Sequence, residues 1–290
     1  NRDIKEQILS LSLNQKIDLF KYLENNILEE NKYYSYNYLY DNCATKIRDV
    51  LNDVFPNYIY YDFQDVSYSL SYRELMDLYL SYQKWGDLGI DICLGVEIDK
   101  IAEGYNTMYL PDYLFSSLSN AKTTKGEKLI SEEINIFSSR NISINHSFFG
   151  PWETFFFLFI FLLFISFRER KYDIWYKKLD FLIFLITGSI GFLLLFLWFF
   201  TDHISAYNYN IIWALPVNFI VAFFFFNKKM LNQLKHYFLF YSIFLMSLIL
   251  LWNFIPQKLN NSLFFLILLL LIRSFLVFLK IKKILTLKFI

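Results

Sequence analysis

Glycine and proline are scarce, at 8 and 5 of 290 residues, which removes collagen-like, linker-rich and low-complexity readings. Cysteine is scarcer still. Cys43 and Cys93 permit at most one disulfide and supply no metal-ligand cluster, so neither a zinc site nor another metal or cofactor is expected. Only three histidines are present, His146, His203 and His236. Acidic residues thin out along the chain: five of 27 lie beyond residue 150, where 14 of the 28 basic residues fall. The net charge of +1 therefore averages an acidic first part and a basic second part, and a nucleic-acid partner is not expected. Apolar residues are in excess. They make up 56% of the chain, with Phe 34 and Tyr 22, against about 45–50% in an ordinary globular protein.

The excess lies beyond residue 150. Five apolar runs, about 152–168, 179–200, 209–227, 237–255 and 262–280, approach the ~20 residues that cross a bilayer. Phe155–Phe167 and Leu263–Ile272 have almost no polar face, which a surface helix of a soluble protein needs. Basic residues alternate between the connections. Arg168, Arg170, Lys171, Lys177 and Lys178 separate runs one and two; Lys228, Lys229 and Lys235 separate three and four; Lys280, Lys282, Lys283 and Lys288 follow run five. The other two connections hold only Lys258. Basic loops face the cytoplasm, so residues 1–150 are expected outside and the C-terminus inside. Trp152, Trp175, Trp198, Trp213 and Trp252 sit near run ends, as an interfacial belt would. Arg273, inside run five, either snorkels or pairs within the bundle, or meets a lipid headgroup.

The first part reads as mostly helical. Asn14–Glu30 carries Ile17, Phe20, Leu23 and Ile27 on one face. Lys32–Tyr40 alternates through Tyr34, Tyr36, Tyr38 and Tyr40 and reads as a strand. Asp41–Asp53 reads as a helix capped by Asp41 or Asn42. Further helices are expected at Ser71–Tyr82, Trp85–Leu94 and Pro111–Ala121, and a hairpin or loop at Gly126–Phe137. The expected organisation is residues 1–137 as a soluble domain, 138–151 as a juxtamembrane linker and 152–290 as the membrane domain. The chain does not open with Met and shows no signal peptide, so it is expected to be a fragment or a processed product.

Two places hold chemistry. Cys43 opens a helix, where free amides and the helix dipole favour negative charge on a nucleophile and could hold an oxyanion. Cys93 lies in an apolar helix and reads as a small core residue. The second place is Thr201–Asn210, which gathers His203, Asn208 and Asn210 beside the membrane, either for interfacial hydrogen bonding or for a lipid headgroup or ester. His146 reads as a solvated juxtamembrane residue, and His236 falls on a cytoplasmic loop.

Tyr34-Ser-Tyr-Asn-Tyr-Leu-Tyr-Asp-Asn-Cys-Ala-Thr-Lys-Ile-Arg-Asp49 resembles the signature of the Lnb family, the lipoprotein N-acyltransferases of Bacteroidetes-type bacteria. The resemblance continues in Tyr72-Arg-Glu-Leu75, Trp85-Gly-Asp-Leu-Gly-Ile-Asp91 and Met108-Tyr-Leu-Pro-Asp-Tyr113. It resumes in Thr201-Asp-His203 and Asn210-Ile-Ile-Trp-Ala-Leu-Pro216. It implies an α+β periplasmic domain fragment, similar to permuted papain-like folds and mostly helical here, followed by an all-α bundle of five transmembrane helices. It implies a bacterial inner-membrane location and a Cys43 nucleophile. That thiolate takes an acyl chain from a phospholipid and passes it to the α-amine of a diacylated lipoprotein. Asn42 or the helix amides hold the oxyanion. Asp41, Thr45 and Arg48 position the site, and His203, Asn208 and Asn210 contact the substrate. The family's histidine lies on a strand before the cysteine. No histidine precedes Cys43, so the chain as given is expected to be catalytically incomplete. A cell-envelope cysteine peptidase or amidase and a non-catalytic membrane scaffold are the alternatives.

Overall fold

The computed structural model describes residues 3–63, 70–139 and 149–287. The chain divides into two compact units, one of residues 1–75 and 100–145, the other of residues 76–99 and 146–290. The sequence reading placed 76–99 with the soluble domain. Those residues instead group with the membrane helices.

The first unit is built on helices α1 (Leu13–Asn26), α2 (Cys43–Val54) and α5 (Pro111–Asn120). α1 opens with a reciprocal cap: Gln15 N–H donates to Ser12 Oγ, and Ser12 N–H donates to Gln15 Oε1. α5 starts on Pro111, whose missing N–H costs nothing in a first turn. Leu51, Phe55, Met108, Leu114, Leu118 and Leu129 form the buried core between these elements. Two small sheets flank them. Strand β1 (Ile4–Leu9) pairs antiparallel with β4 (Ile130–Phe137), and β2 (Ile59–Tyr60) with β3 (Lys122–Thr123). Of the Gly126–Phe137 segment, the first residues turn back onto Lys122–Thr123, where Thr123 N donates to Glu127 O at 2.8 Å, and Ile130–Phe137 joins a long-range ladder closed at β1.

The expected strand at 32–40 is absent. Tyr34, Tyr36, Tyr38 and Tyr40 are all exposed, so their alternation marks no buried face. Asn37 explains the difference. Its Oδ1 accepts the backbone N–H of both Leu39 and Tyr40, at 3.1 Å each, so those donors cannot enter a ladder. The segment is a turn that delivers Leu39, 2% exposed, to the interior.

Helix α3 (Tyr72–Leu80) contains the boundary between the units. The second unit comprises α4 (Lys84–Cys93), α6 (Pro151–Lys171), α7 (Lys177–Phe200), α8 (Val217–Phe224), α9 (Leu231–Leu250) and α10 (Leu263–Thr286). α10 packs on both α9 and α6, and α7 packs on α8. Gly188 and Gly191 make the second pairing possible. A Cβ on Gly188 would stand 2.1 Å from Phe219 N, and one on Gly191 2.0 Å from Ala214 O. Phe184, Phe238, Tyr241 and Trp213 fill the centre, with Phe184 and Phe238 ring centroids 4.8 Å apart.

Among the described residues, four helices are long and apolar enough to cross a membrane: Pro151–Lys171, Lys177–Phe200, Lys228–Leu250 and Leu263–Thr286. The third expected span differs. Over Tyr209–Phe224 the chain makes a 3-10 turn at Tyr209–Ile212, breaks, and resumes as the eight-residue α8. Pro216 is the cause. It has no N–H to give and disfavours helical backbone at Leu215. Trp213 also departs from expectation: it is fully buried rather than interfacial.

Candidate functional site

Cys43 is the first residue of α2 and is exposed. Its position is fixed by Asn42, which is 4% exposed and uses its whole side-chain amide. Oδ1 accepts from Ala44 N (2.8 Å) and Thr45 N (2.9 Å). Nδ2 donates to Tyr38 O (2.8 Å) and Tyr109 O (2.9 Å). Thr45, fully buried, completes the cap: its Oγ1 accepts from Asn42 N at 2.7 Å and donates to Asn42 O at 3.1 Å. Asn42 therefore ties the helix opening to two separate segments. With both amide hydrogens already donated, Asn42 has none left to give a ligand. The amides of Ala44 and Thr45 are spent on the cap.

The neighbours expected to position a substrate are engaged by the protein. Lys46 Nζ lies 3.0 Å from Asp41 Oδ1 and 4.4 Å above the Tyr34 ring. Its contact with Asp41 raises the lysine pKa. Arg48 is buried. Its Nε and Nη2 donate to the carboxylate of Asp49 at 2.7 and 3.1 Å, and its Nη1 donates to Tyr105 O at 3.2 Å. Its guanidinium lies 4.0 Å from the Tyr105 ring centroid. Arg48 and Thr45 thus hold the local backbone. The sequence reading missed Tyr36. Its phenol is raised above the usual tyrosine value first by partial burial, then by the Cys43 thiol and Tyr34.

Beside Cys43 opens a cavity of about 730 Å³ that the sequence did not announce. α2 lines one wall through Cys43, Ile47, Val50 and Leu51. α1 supplies Leu19 and Leu23, and α5 supplies Leu114 and Leu118. Its residues come from distant stretches of chain, which is why no local motif signals it.

The second candidate place lies in the other unit, and its residues separate into two kinds. His203 is exposed, and Thr201 Oγ1 accepts its backbone N–H at 3.4 Å. Asn208 and Asn210 are corrected from their expected substrate role. They are 1% and 0% exposed, and their amides cap the end of α4. Asn208 Nδ2 donates to Ile92 O at 2.7 Å, and Asn210 Nδ2 to Asp91 O at 2.9 Å. Gln257 Nε2 donates to Leu94 O at 2.9 Å, and Gly95 N donates to Ile204 O at 2.8 Å. The last carbonyls of a helix lack partners within it, so these side chains meet a real need. Asn210 Oδ1 in turn accepts Trp213 Nε1 at 2.9 Å.

Cys93, near the end of α4, is half-buried, and burial pushes its thiol up. Both cysteines are free. Asp77, Asp87 and Asp91 bring carboxylate oxygens within 4.8 Å of one another. Asn260 Nδ2 already donates to Asp91 at 2.8 Å and to Asp87 at 3.4 Å. His146 lies outside the described residues.

Arg273 pairs inside the bundle. It is 1% exposed, and its Nε and Nη2 donate to Asp180 Oδ1 at 2.9 and 2.7 Å. Its Nη1 donates to Ser166 Oγ at 2.9 Å and to Glu169 Oε2. Three spans, α6, α7 and α10, meet at this cluster.

Residues 1–77 match the Lnb N-terminal periplasmic domain, and residues 143–284 match the Lnb transmembrane domain. No curated protein and no solved structure matches the chain.

Proposed function

Because the chain belongs to the Lnb family, as a multi-pass membrane protein with a periplasmic domain, we propose that it is a lipoprotein N-acyltransferase with Cys43 as nucleophile. The observation that carries this reading is the exposed Cys43 at the first position of α2, held by a cap whose every polar atom is committed. Such rigidity keeps a nucleophile in one place at no cost during reaction.

The reaction has two steps. The Cys43 thiolate attacks the carbonyl carbon of a phospholipid acyl ester, and the N–H of Cys43 steadies the oxyanion. The ester C–O bond breaks, and the departing lysophospholipid alkoxide takes up the proton that the thiol gave up. A thioester remains on Cys43. The free α-amine of a diacylglyceryl-cysteine then attacks that thioester. The C–S bond breaks, the amide forms, and the amine's proton returns to sulfur. The chemistry asks for no cofactor.

Both substrates are anchored lipids, so the same chain supplies membrane spans. The alternation of basic connections supports a cytoplasmic C-terminus, with residues 1–150 on the periplasmic side of the inner membrane. His203, exposed, is our candidate for contact with a headgroup. His203→Ala should then raise KM for the phospholipid; an unchanged KM removes that role.

The test of the whole reading expresses wild type and Cys43→Ala in a host depleted of its own lipoprotein N-acyltransferase. The N-terminal peptide of a reporter lipoprotein is then weighed by mass spectrometry. A third acyl chain with wild type and none with the variant is the expected result. A diacyl peptide in both strains, with both proteins expressed and inserted, refutes it.

A further inference from the structure

We propose that the cavity beside Cys43 is a chamber for a single linear acyl chain, the one carried on Cys43 as a thioester, and that Ile47 and Val50 set the chain length it accepts. This rests on the reading of Cys43 as nucleophile. Three observations lead to it. The cavity, at about 730 Å³, has the size of a small-ligand site, for which roughly 300–1,000 Å³ is usual. Its wall is mostly apolar, and no carboxylate of the described residues lines it. Its polar lining residues are four: Gln7 Nε2 donates to Phe115 O and Ser119 Oγ, Lys46 pairs with Asp41, Lys5 Nζ lies 5.7 Å from the Phe115 ring centroid, and Asn26 is the fourth. A peptide entering there would lose its water hydrogen bonds with little in return, whereas a hydrocarbon chain asks for none.

The third observation is direction. Cys43, Ile47, Val50 and Leu51 all line the cavity and lie on one stripe of α2, at helical spacings of four, three and one. That stripe runs about 12 Å along the helix axis. A chain bonded to Sγ at one end of the stripe can lie along it, against Leu19 and Leu23 of α1 and Leu114 and Leu118 of α5. The carbonyl stays at the exposed end, where the second substrate arrives. Each methylene withdrawn from water is worth about fourfold in binding, so the wall makes the site selective for long chains.

The test uses the full-length protein with phosphatidylethanolamine donors bearing butanoyl or palmitoyl chains, without an amine acceptor. The readout is the rate at which a hydroxylamine-sensitive acyl mass appears on the Cys43 peptide. Wild type should favour palmitoyl. Ile47→Phe and Val50→Phe place bulk in the cavity from positions that are 54% exposed and half-buried, so folding tolerates them. They should cut the palmitoyl rate at least tenfold relative to butanoyl, whose chain ends before Ile47. Equal loss on both donors, or no loss, overturns the chamber, and a protein segment lying over this face would give that result.

A second measurement separates the chamber from the nucleophile. A phospholipid with a photoactivatable group at the acyl terminus should crosslink to α1 and α5 in wild type. Crosslinks confined to the membrane helices overturn the chamber even where a thioester forms. No thioester on any donor overturns the Cys43 reading, and crosslinks to α1 and α5 would then show that the cavity still takes a chain.

Discussion

Arg273→Met would leave Glu169 and Asp180 buried with the cation between them removed. Both carboxylates keep one donor: Tyr176 N reaches Glu169 Oε1 at 2.7 Å, and Trp175 Nε1 reaches Asp180 Oδ2 at 2.8 Å. Neither donor supplies a compensating charge. Removing one member of a buried ion pair costs about 3–5 kcal/mol, because the remaining charge stays desolvated. For a unit of this size roughly 2–4 °C of melting temperature follows each kcal/mol, so a fall of about 6–20 °C is expected. Cys93 is the reporter. It is half-buried, it lies in the same unit as the cluster, and in a Cys43→Ala background it is the single thiol. A dye that fluoresces on thiol reaction then follows unfolding of the detergent-solubilised protein. Arg273→Lys should recover only part of the loss, because one ammonium cannot reproduce bonds to two carboxylates and Ser166. The triple variant Arg273→Met, Glu169→Gln, Asp180→Asn should recover most of it, since no unpaired charge remains. A fall below about 2 °C for Arg273→Met, or a triple variant no more stable than the single one, refutes the charge argument.

Three further outcomes are expected. Gly191→Ala should fail to insert α8 against α7, because its Cβ would stand 2.0 Å from Ala214 O, and backbone cannot retreat as a side-chain tip can; limited proteolysis of 201–230 should accelerate, and an unchanged pattern refutes the contact. Gln257→Ala strips the partner from Leu94 O, at a cost of about 1–3 kcal/mol. Cys93 should then react faster with maleimide in the folded protein, and an unchanged rate refutes the clamp. Tyr61, whose phenol burial pushes up to about 12 from 10.0, stays protonated in the fold where an unfolded chain has already ionised it. Its contribution is therefore whole below about pH 10 and lost as pH rises towards 12, and a flat stability profile of the first unit across that window refutes this.

The helices were legible because their periodicity is local. α1, α2, α4 and α5 fall within a few residues of expectation, and residue type narrowed the N-cap of α2 to Asp41 or Asn42, of which the structure uses Asn42. Four of the five apolar runs became long helices. The failures have local or long-range physical causes. The tyrosine alternation at 34–40 satisfies the strand pattern, yet one Asn side chain diverts the backbone donors. β1 shows no alternation, and its partner lies more than a hundred residues away, so only the tertiary pairing defines it. At the candidate site, position was readable and direction was not. Asn208 and Asn210 are polar residues in a loop whether they face a ligand or a helix end. Only the placement of α4 decides that they serve its carbonyls. The cavity beside Cys43 is a property of three helices together, and no single stretch carries its signature.

The broken segment at Tyr209–Phe224 has a consequence for the bilayer around it. Sixteen residues reach about 24 Å even as continuous helix, against a hydrocarbon layer of ~30 Å. The helix packed on it, α7, is apolar over Phe181–Phe200, which reaches about 30 Å. The two therefore present unequal hydrophobic heights side by side. Lipid beside the short segment must thin, or headgroups and water must descend towards it. A step in membrane thickness lowers the cost of drawing a lipid part-way out of its leaflet, and it does so along one flank of the protein.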